Sequence, residues 1–270
     1  MPVSAADVQF VRELLQRRAA IQVDETKEYL IEMRLEQLAR EVGIASIPDL
    51  VRQARGQKTI ETRIVEAMTT HETSFFRDLH PFNLLKKEVL PQLVAARQTT
   101  RSLTIWSAAC SSGQEAYSLS MLILENFPDL ARWPVRIIGT DISEQIVAKA
   151  REGKFRQLDV NRGLPATLLV KYFEKIGAEW QLKPIVRSLV DFRQMNLLDT
   201  WNMPRPDIVF MRNVLIYFDQ ITKKNILVKL RGLIPKDGAL FLGAAETATT
   251  IDDKWDRFAN ENATYYRVRP

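Results

Sequence analysis

The chain has 270 residues, of which 46% are hydrophobic, enough to bury a sizeable core as one large domain or as a small domain beside a larger one. Its net charge of +5 is not concentrated in a tract: residues 1–100 balance, and the excess beyond them is spread out apart from a short run at Lys149, Arg151, Lys154 and Arg156. Without a basic tract interleaved with aromatics, a solvated surface is favoured over a nucleic-acid footprint, and no nucleic-acid partner is expected.

The single cysteine, Cys110, cannot form an internal disulfide, which makes a reducing cytosol, hence a cytoplasmic location, the default. The opening residues do not read as a signal peptide, and no apolar run is long enough for a bilayer span, so no direct membrane insertion is expected. Two histidines, His71 and His80, and one cysteine make a zinc site of the usual ligand types implausible, and no metal is expected.

Up to about residue 68 the pattern is helical. Ser4 with Asp7 resembles a capping box, followed by an apolar face of Val8, Val11, Leu14 and Leu15. Lys27 to Val42 reads as a second helix, with Leu30, Met33 and Leu38 towards one side and Gly43 as its stop. Ser46 and Pro48 open a short third helix. Thr59 opens a fourth, with Ile60, Ile64 and Met68 in register. Residues 1–70 are thus expected to form a small all-helical domain.

Residues 71–100, with a helix over Phe82 to Leu93, read as a connector. From 101 to 270 short β-rich runs alternate with helices: strands at 103–107, 135–140, 190–192, 207–211, 239–243 and 264–268, and helices at 115–124, 144–151 and 222–233. That alternation predicts an α/β fold with a doubly wound, mostly parallel sheet. Residues 168–188, with Gly177 and Pro184 as turn signals, interrupt it as an inserted β-hairpin.

Such a sheet binds its ligand beyond the carboxyl ends of its strands. After the first strand comes Ser107-Ala-Ala-Cys-Ser-Ser-Gly-Gln-Glu115, small residues that let backbone approach a ligand. After the second comes Asp141, placed to accept hydrogen bonds from ribose hydroxyls. Asn196 and Leu197 follow the third and could read an adenine edge and cover its face. Arg212-Asn213-Val-Leu-Ile-Tyr217-Phe218 follows the next. Each has a bland alternative, such as a helix cap at Asp141, a turn at Asn196 or a core aromatic at Tyr217. Together, at successive strand ends, they favour an adenosine-type pocket, with dinucleotide binding still open although the glycine-rich fingerprint is missing.

These residues carry a resemblance. Thr73-Ser-Phe-Phe-Arg77, the 107–115 loop, Gly139-Thr-Asp-Ile142, Asn196-Leu-Leu198 and Arg212-Asn-Val-Leu-Ile-Tyr-Phe218 look like the signatures of CheR-type chemotaxis protein methyltransferases. The resemblance spans nearly the whole chain. It implies a class I methyltransferase sheet and an S-adenosylmethionine-dependent protein-glutamate O-methyltransferase, giving glutamate methyl ester and S-adenosylhomocysteine. It implies that His71, Thr73, Arg77, Glu115, Asp141, Asn196, Leu197, Arg212 and Asn213 hold the cofactor. Arg77 would also orient the reacting carboxylate, and Tyr217 would sit by the methyl group. Arg34 and Arg40 would face the acidic cytoplasmic helical domain of a methyl-accepting chemoreceptor, an ordinary solvated face being the equal alternative.

Two positions depart from the family pattern. His71 stands where asparagine is usual, and Gly243-Ala-Ala-Glu246 replaces G-H-S-E. The short inserted hairpin implies independence from a C-terminal pentapeptide tether on the receptor. The rival readings are a nucleic-acid or amine methyltransferase, a cofactor-binding sensor or adaptor without turnover, and a nicotinamide dehydrogenase.

Overall fold

A computed structural model describes residues 3–24, 26, 28–260 and 262–270. The chain divides into two compact units. The smaller holds the chain up to Thr70 together with Asn196–Asp199 and Tyr217–Thr222; the larger holds His71–Met195, Thr200–Ile216 and Lys223–Pro270.

Among the described residues the smaller unit is built on α1 (Ala5–Ala19), α2 (Glu28–Val42), α3 (Ile47–Ala54) and α4 (Lys58–Met68). Ser4 and Asp7 make the capping box that starts α1, each satisfying an amide the helix leaves unpaired. Ser46 caps α3 by accepting from the Asp49 amide, with Pro48 in the first turn. The proposed start of the second helix at Lys27 lies outside the described residues. Its buried face is Ile31, Leu35 and Leu38, whereas Met33 is exposed, so the apolar face is rotated from the one the sequence suggested. The i, i+4, i+7 set 31, 35, 38 is a helical stripe in its own right, and the bundle buries it because it completes a core with Leu14, Leu50 and Ile64.

The larger unit opens with a helix interrupted once: α5 (His80–Leu84), a π-helical turn (Leu85–Val89) and α6 (Leu90–Ala96). Pro91 accounts for the interruption, since its ring cannot sit under the carbonyl of residue 87 in a regular α-helix. The sheet strands are β1 (Leu103–Ala108), β2 (Val135–Asp141), β6 (Val190–Gln194), β7 (Ile208–Met211), β8 (Ala239–Leu242), β9 (Trp255–Asn260) and β10 (Ala263–Val268). Between β1 and β2 lies α7 (Gln114–Asn126), after β2 comes α8 (Glu144–Glu152), and α12 (Gln220–Leu233) precedes β8.

Among the described residues these strands form one seven-stranded sheet in the order β6-β2-β1-β7-β8-β10-β9. All pairs from β6 to β8 are parallel, and β10 runs antiparallel between β8 and β9. Edge strand β9 was not foreseen in the sequence. Its outer residues Asp256, Arg257 and Asn260 are polar or exposed, so it lacks the continuous apolar run of the buried parallel strands.

The insertion is a three-stranded antiparallel sheet, β3 (Lys154–Arg156), β5 (Glu179–Leu182) and β4 (Phe173–Ile176), rather than a hairpin alone. Short helices α9 (Gln157–Val160), α10 (Ala166–Tyr172) and α11 (Pro184–Arg187) surround it in sequence. Strand β3 explains the basic run: Lys154 and Arg156 point outward on either side of buried Phe155. No helix among the described residues is long and apolar enough to cross a membrane.

Candidate functional site

The order of strands places a switch between β1 and β7. From β1 the chain winds outward through β2 to β6, then returns beside β1 at β7. Loops leaving the carboxyl ends of β1 and β7 therefore part company and leave a crevice, the usual ligand position in such sheets. Backbone strain collects there. Left-handed φ values at non-glycine residues occur at Phe76, Asp78 and Leu79, at Ala109 and Ser111 after β1, and at Asn213 after β7.

The 71–79 loop is pinned by its phenylalanines. Phe75 is fully buried, edge-on to Phe155 and Phe173 at centroid distances of 5.0 and 5.7 Å. The Phe75 carbonyl lies where any side chain at Gly163 would project, so only glycine, at φ +79°, admits the loop. The Phe76 amide donates to Ser118 Oγ at 2.9 Å. Arg77 is thereby held half-exposed, with one terminal nitrogen donating to the Glu72 carbonyl at 3.1 Å. Thr73 lies half-buried in the same loop.

Around the crevice the charged groups are ordered. Glu115, in the first turn of α7, accepts from Ser107 Oγ at 2.8 Å and from Arg212 at 3.2 Å. The second terminal nitrogen of Arg212 donates to Asp78 Oδ2 at 2.5 Å, and the Arg212 side chain is only 1% exposed. Its Nε is buried without a hydrogen-bond partner among the described residues. Burial pushes the Glu115 carboxyl above its ordinary value, against the opposing pull of Arg212, Ser107 and Arg77.

Asp141 ends β2. Its Oδ2 accepts from the Ser111 amide at 2.9 Å and its Oδ1 from the Ser143 amide at 3.2 Å. Burial raises its pKa too, and the charge of His71 works the other way. The His71 carbonyl accepts from Ser111 Oγ, tying the 71–79 loop to the loop after β1. The larger unit thus brings His71, Arg77, Glu115, Asp141, Arg212 and Asn213 to one end of one sheet.

The other sequence-derived residues belong to the smaller unit. Asn196 donates to the Arg18 carbonyl at 2.7 Å and accepts from the Leu198 amide, holding a turn; Leu197 is buried. The Tyr217 carbonyl accepts from the Gln22 amide. Arg34 donates to the carbonyls of Met68 and Thr69 and to Thr70 Oγ1, closing the carboxyl end of α4. Arg40 is 74% exposed and pairs with Glu36 on its own helix at 2.7 Å.

Comparison with known proteins decides the family. A family model described as "CheR methyltransferase, SAM binding domain" matches residues 71–266, and one described as "CheR methyltransferase, all-alpha domain" matches residues 6–69. The chain belongs to the CheR methyltransferase family. It is 40% identical, over an alignment of 276 positions that covers 100% of both chains, to "Chemotaxis protein methyltransferase 1" of Pseudomonas aeruginosa. It is 39% identical, again over both full lengths, to "Chemotaxis protein methyltransferase Cher2" of Pseudomonas putida. A "Chemotaxis protein methyltransferase" of Vibrio parahaemolyticus is 37% identical over 94% of each chain.

The donor set at the strand ends suits the S-adenosylmethionine of a CheR domain. The Asp141 carboxylate accepts backbone N–H groups from Ser111, Ile142 and Ser143, and with about four lone-pair sites on its two oxygens it keeps acceptor capacity for a ribose hydroxyl. Glu115 offers a carboxylate to an ammonium, and the 107–115 loop offers small residues and backbone.

Sequence reading missed three members of this strand-end cluster: Asp78, Ser107 as partner of Glu115, and Glu246. Asp78 adjoins the T-x-F-F-R segment, and its pairing with a residue 134 positions away leaves no local pattern. Glu246 stood in a segment noted only for its departure from G-H-S-E. It accepts backbone amides, which side-chain patterns do not register.

Proposed function

We propose that this chain esterifies glutamate side chains in the cytoplasmic helical domain of methyl-accepting chemoreceptors. The observation that carries the reading is the state of the two site arginines. Arg212 is buried and held between Glu115 and Asp78, so its charge is already matched. Arg77 is half-exposed and, among the described residues, makes no ion pair, leaving most of its fork for an incoming carboxylate. Full-length similarity to named chemotaxis protein methyltransferases supports the acceptor class.

When bound, S-adenosylmethionine supplies an electrophilic methyl group on a sulfonium. Asp141 holds the ribose hydroxyls, Glu115 the amino group, and Asn196 with Leu197 the adenine. His71, Thr73, Arg212 and Asn213 complete the pocket. A glutamate side chain of pKa ~4.3 is ionised at neutral pH, so no residue is needed as general base. The protein's work is alignment and exclusion of water, an effect worth up to ~7–11 kcal/mol. Arg77 orients the acceptor carboxylate through charge-assisted hydrogen bonds, and the Tyr217 hydroxyl positions the acceptor oxygen or the methyl group.

Arg40 lies on the exposed side of α2 with Tyr29 and Met33, a mixed basic and apolar face suited to an acidic amphipathic helix. Arg34 supports that face by tying α2 to the end of α4. The tight β4–β5 connection, with Gly177 left-handed, supports recognition without a C-terminal pentapeptide tether. Each ester removes one negative charge from the receptor bundle, which eases repulsion between helices and shifts a signalling equilibrium.

The test uses purified chain, methyl-tritiated S-adenosylmethionine and receptor-bearing membranes. Base treatment should release label as volatile methanol, and Arg77→Ala should abolish it. Base-stable label would overturn the acceptor assignment, and S-adenosylhomocysteine binding without any transfer would favour a sensor or adaptor. Receptors trimmed of their C-terminal tail should be methylated as well as intact ones.

A further inference from the structure

Glu246, shortly after β8, has an unusual set of partners. Its Oε1 accepts from the backbone amides of Val214 at 2.9 Å, Leu215 at 2.7 Å and Ile216 at 3.3 Å. Its Oε2 accepts from the amides of Asn213 at 2.8 Å and Gly243 at 2.6 Å. Four of these donors are consecutive. Successive amides converging on one point form an anion-binding concavity, and here the chain fills it with its own carboxylate.

Two further features show that the niche is built for this purpose. Asn213 adopts φ +58°, which turns its amide inward with its successors. A Cβ at Gly243 would lie 2.7 Å from Glu246 Oε2 and 2.9 Å from the Asn213 amide nitrogen, so a side chain there would break the approach. Among the described residues Glu246 makes no ion pair; its charge is met by backbone dipoles.

We infer that Glu246 is a positioning residue, an internal anion that shapes the 213–216 loop and so aims Arg212 and Asn213 at the cofactor pocket. Residues 213–216 are also the segment that leads directly into Tyr217. The activity consequence rests on the function proposed above, but the effect on the cofactor pocket does not, so affinity for S-adenosylhomocysteine is the primary readout.

Glu246→Ala empties the niche while leaving its donors in place. Calorimetry should show S-adenosylhomocysteine affinity reduced about tenfold or more, the scale of losing charge-assisted hydrogen bonds. Acetate, compared with chloride at equal ionic strength, should recover several-fold of that loss by occupying the niche, and should give the wild type nothing. Glu246→Gln keeps the volume but turns an NH2 group against the donors, so it should lose affinity without responding to acetate. Wild-type affinity in Glu246→Ala, or a loss that acetate does not relieve in a variant that still unfolds cooperatively, would overturn the inference. Should Glu246→Ala not fold, wild-type affinity in Glu246→Gln would overturn it equally. A wild-type chain that binds S-adenosylhomocysteine but methylates no receptor would count against the proposed reaction and not against this role.

Discussion

At the amino ends of β1, β7 and β8, Arg97 donates through Nε to Asp207 and through both terminal nitrogens to Asp237. At the carboxyl ends of β1 and β7, Arg212 donates to Glu115 and Asp78. Each arginine is shared between a mostly buried carboxylate and one that is about half-exposed. Arg97 uses every nitrogen of its guanidinium, and Asp207 uses its other oxygen on the Thr104 amide, so the cluster is saturated and ties strand ends together. Arg212 is more deeply buried, keeps an unmatched Nε, and stands beside a carboxyl whose pKa burial raises. The same side chains thus make a scaffold where hydrogen bonding is complete, and leave donor capacity suited to the proposed binding site where it is incomplete.

Substituting the two arginines separates these roles most strongly. Arg212→Met leaves Glu115 buried without its cation and should cost about 3–5 kcal/mol in urea unfolding, with S-adenosylhomocysteine binding lost. Arg97→Met should cost about 1.5–3 kcal/mol and leave binding intact. Equal loss of binding in both variants would erase the distinction.

Asp141→Asn should come next. It should weaken S-adenosylhomocysteine binding by about tenfold or more through the lost ribose hydrogen bonds. Stability should fall modestly as well, because the NH2 group that replaces one oxygen meets a backbone N–H that this oxygen accepted from, although losing the buried charge offsets part of that cost. Unchanged affinity in calorimetry would remove Asp141 from the pocket.

The clusters should also respond to pH with opposite sign. Hydrogen bonding to Arg97 lowers the Asp237 pKa, so its contribution is present above the ordinary aspartate value and is lost as pH falls through the lowered one. Glu115 is raised, so between its ordinary and raised values the folded chain holds the extra proton, and stability grows as pH falls. In melting temperature against pH, Asp237→Asn should flatten the acid-side loss and Glu115→Gln should remove the gain. Slopes of the same sign would contradict the burial argument.

The smallest effect is expected outside both clusters. Arg40→Ala should change stability by less than about 0.5 kcal/mol, since its pair with Glu36 is exposed, while raising KM for receptor several-fold.

Legibility in the sequence followed burial. Strands β1, β2, β7 and β8 are apolar runs because both faces are covered, and their ends led directly to Glu115, Asp141 and Arg212. Strands β3 and β9 escaped because one is three residues long and the other is an edge with polar residues outward. The face of α2 was misplaced because two apolar stripes coexist on it, and only packing in the bundle chooses between them. Asp78 and Glu246 escaped for another reason: their partners are a distant arginine and a row of backbone amides, neither of which has a signature in side-chain order.

The most direct test of the account is peptide mapping by mass spectrometry of a receptor's cytoplasmic helical domain after incubation with the chain and S-adenosylmethionine. Methyl groups are expected on glutamate carboxyl side chains, present with Arg97→Met and absent with Arg212→Met and Arg77→Ala. Methyl groups on lysine or arginine nitrogens, or glutamate esters formed equally well by Arg77→Ala, would contradict it.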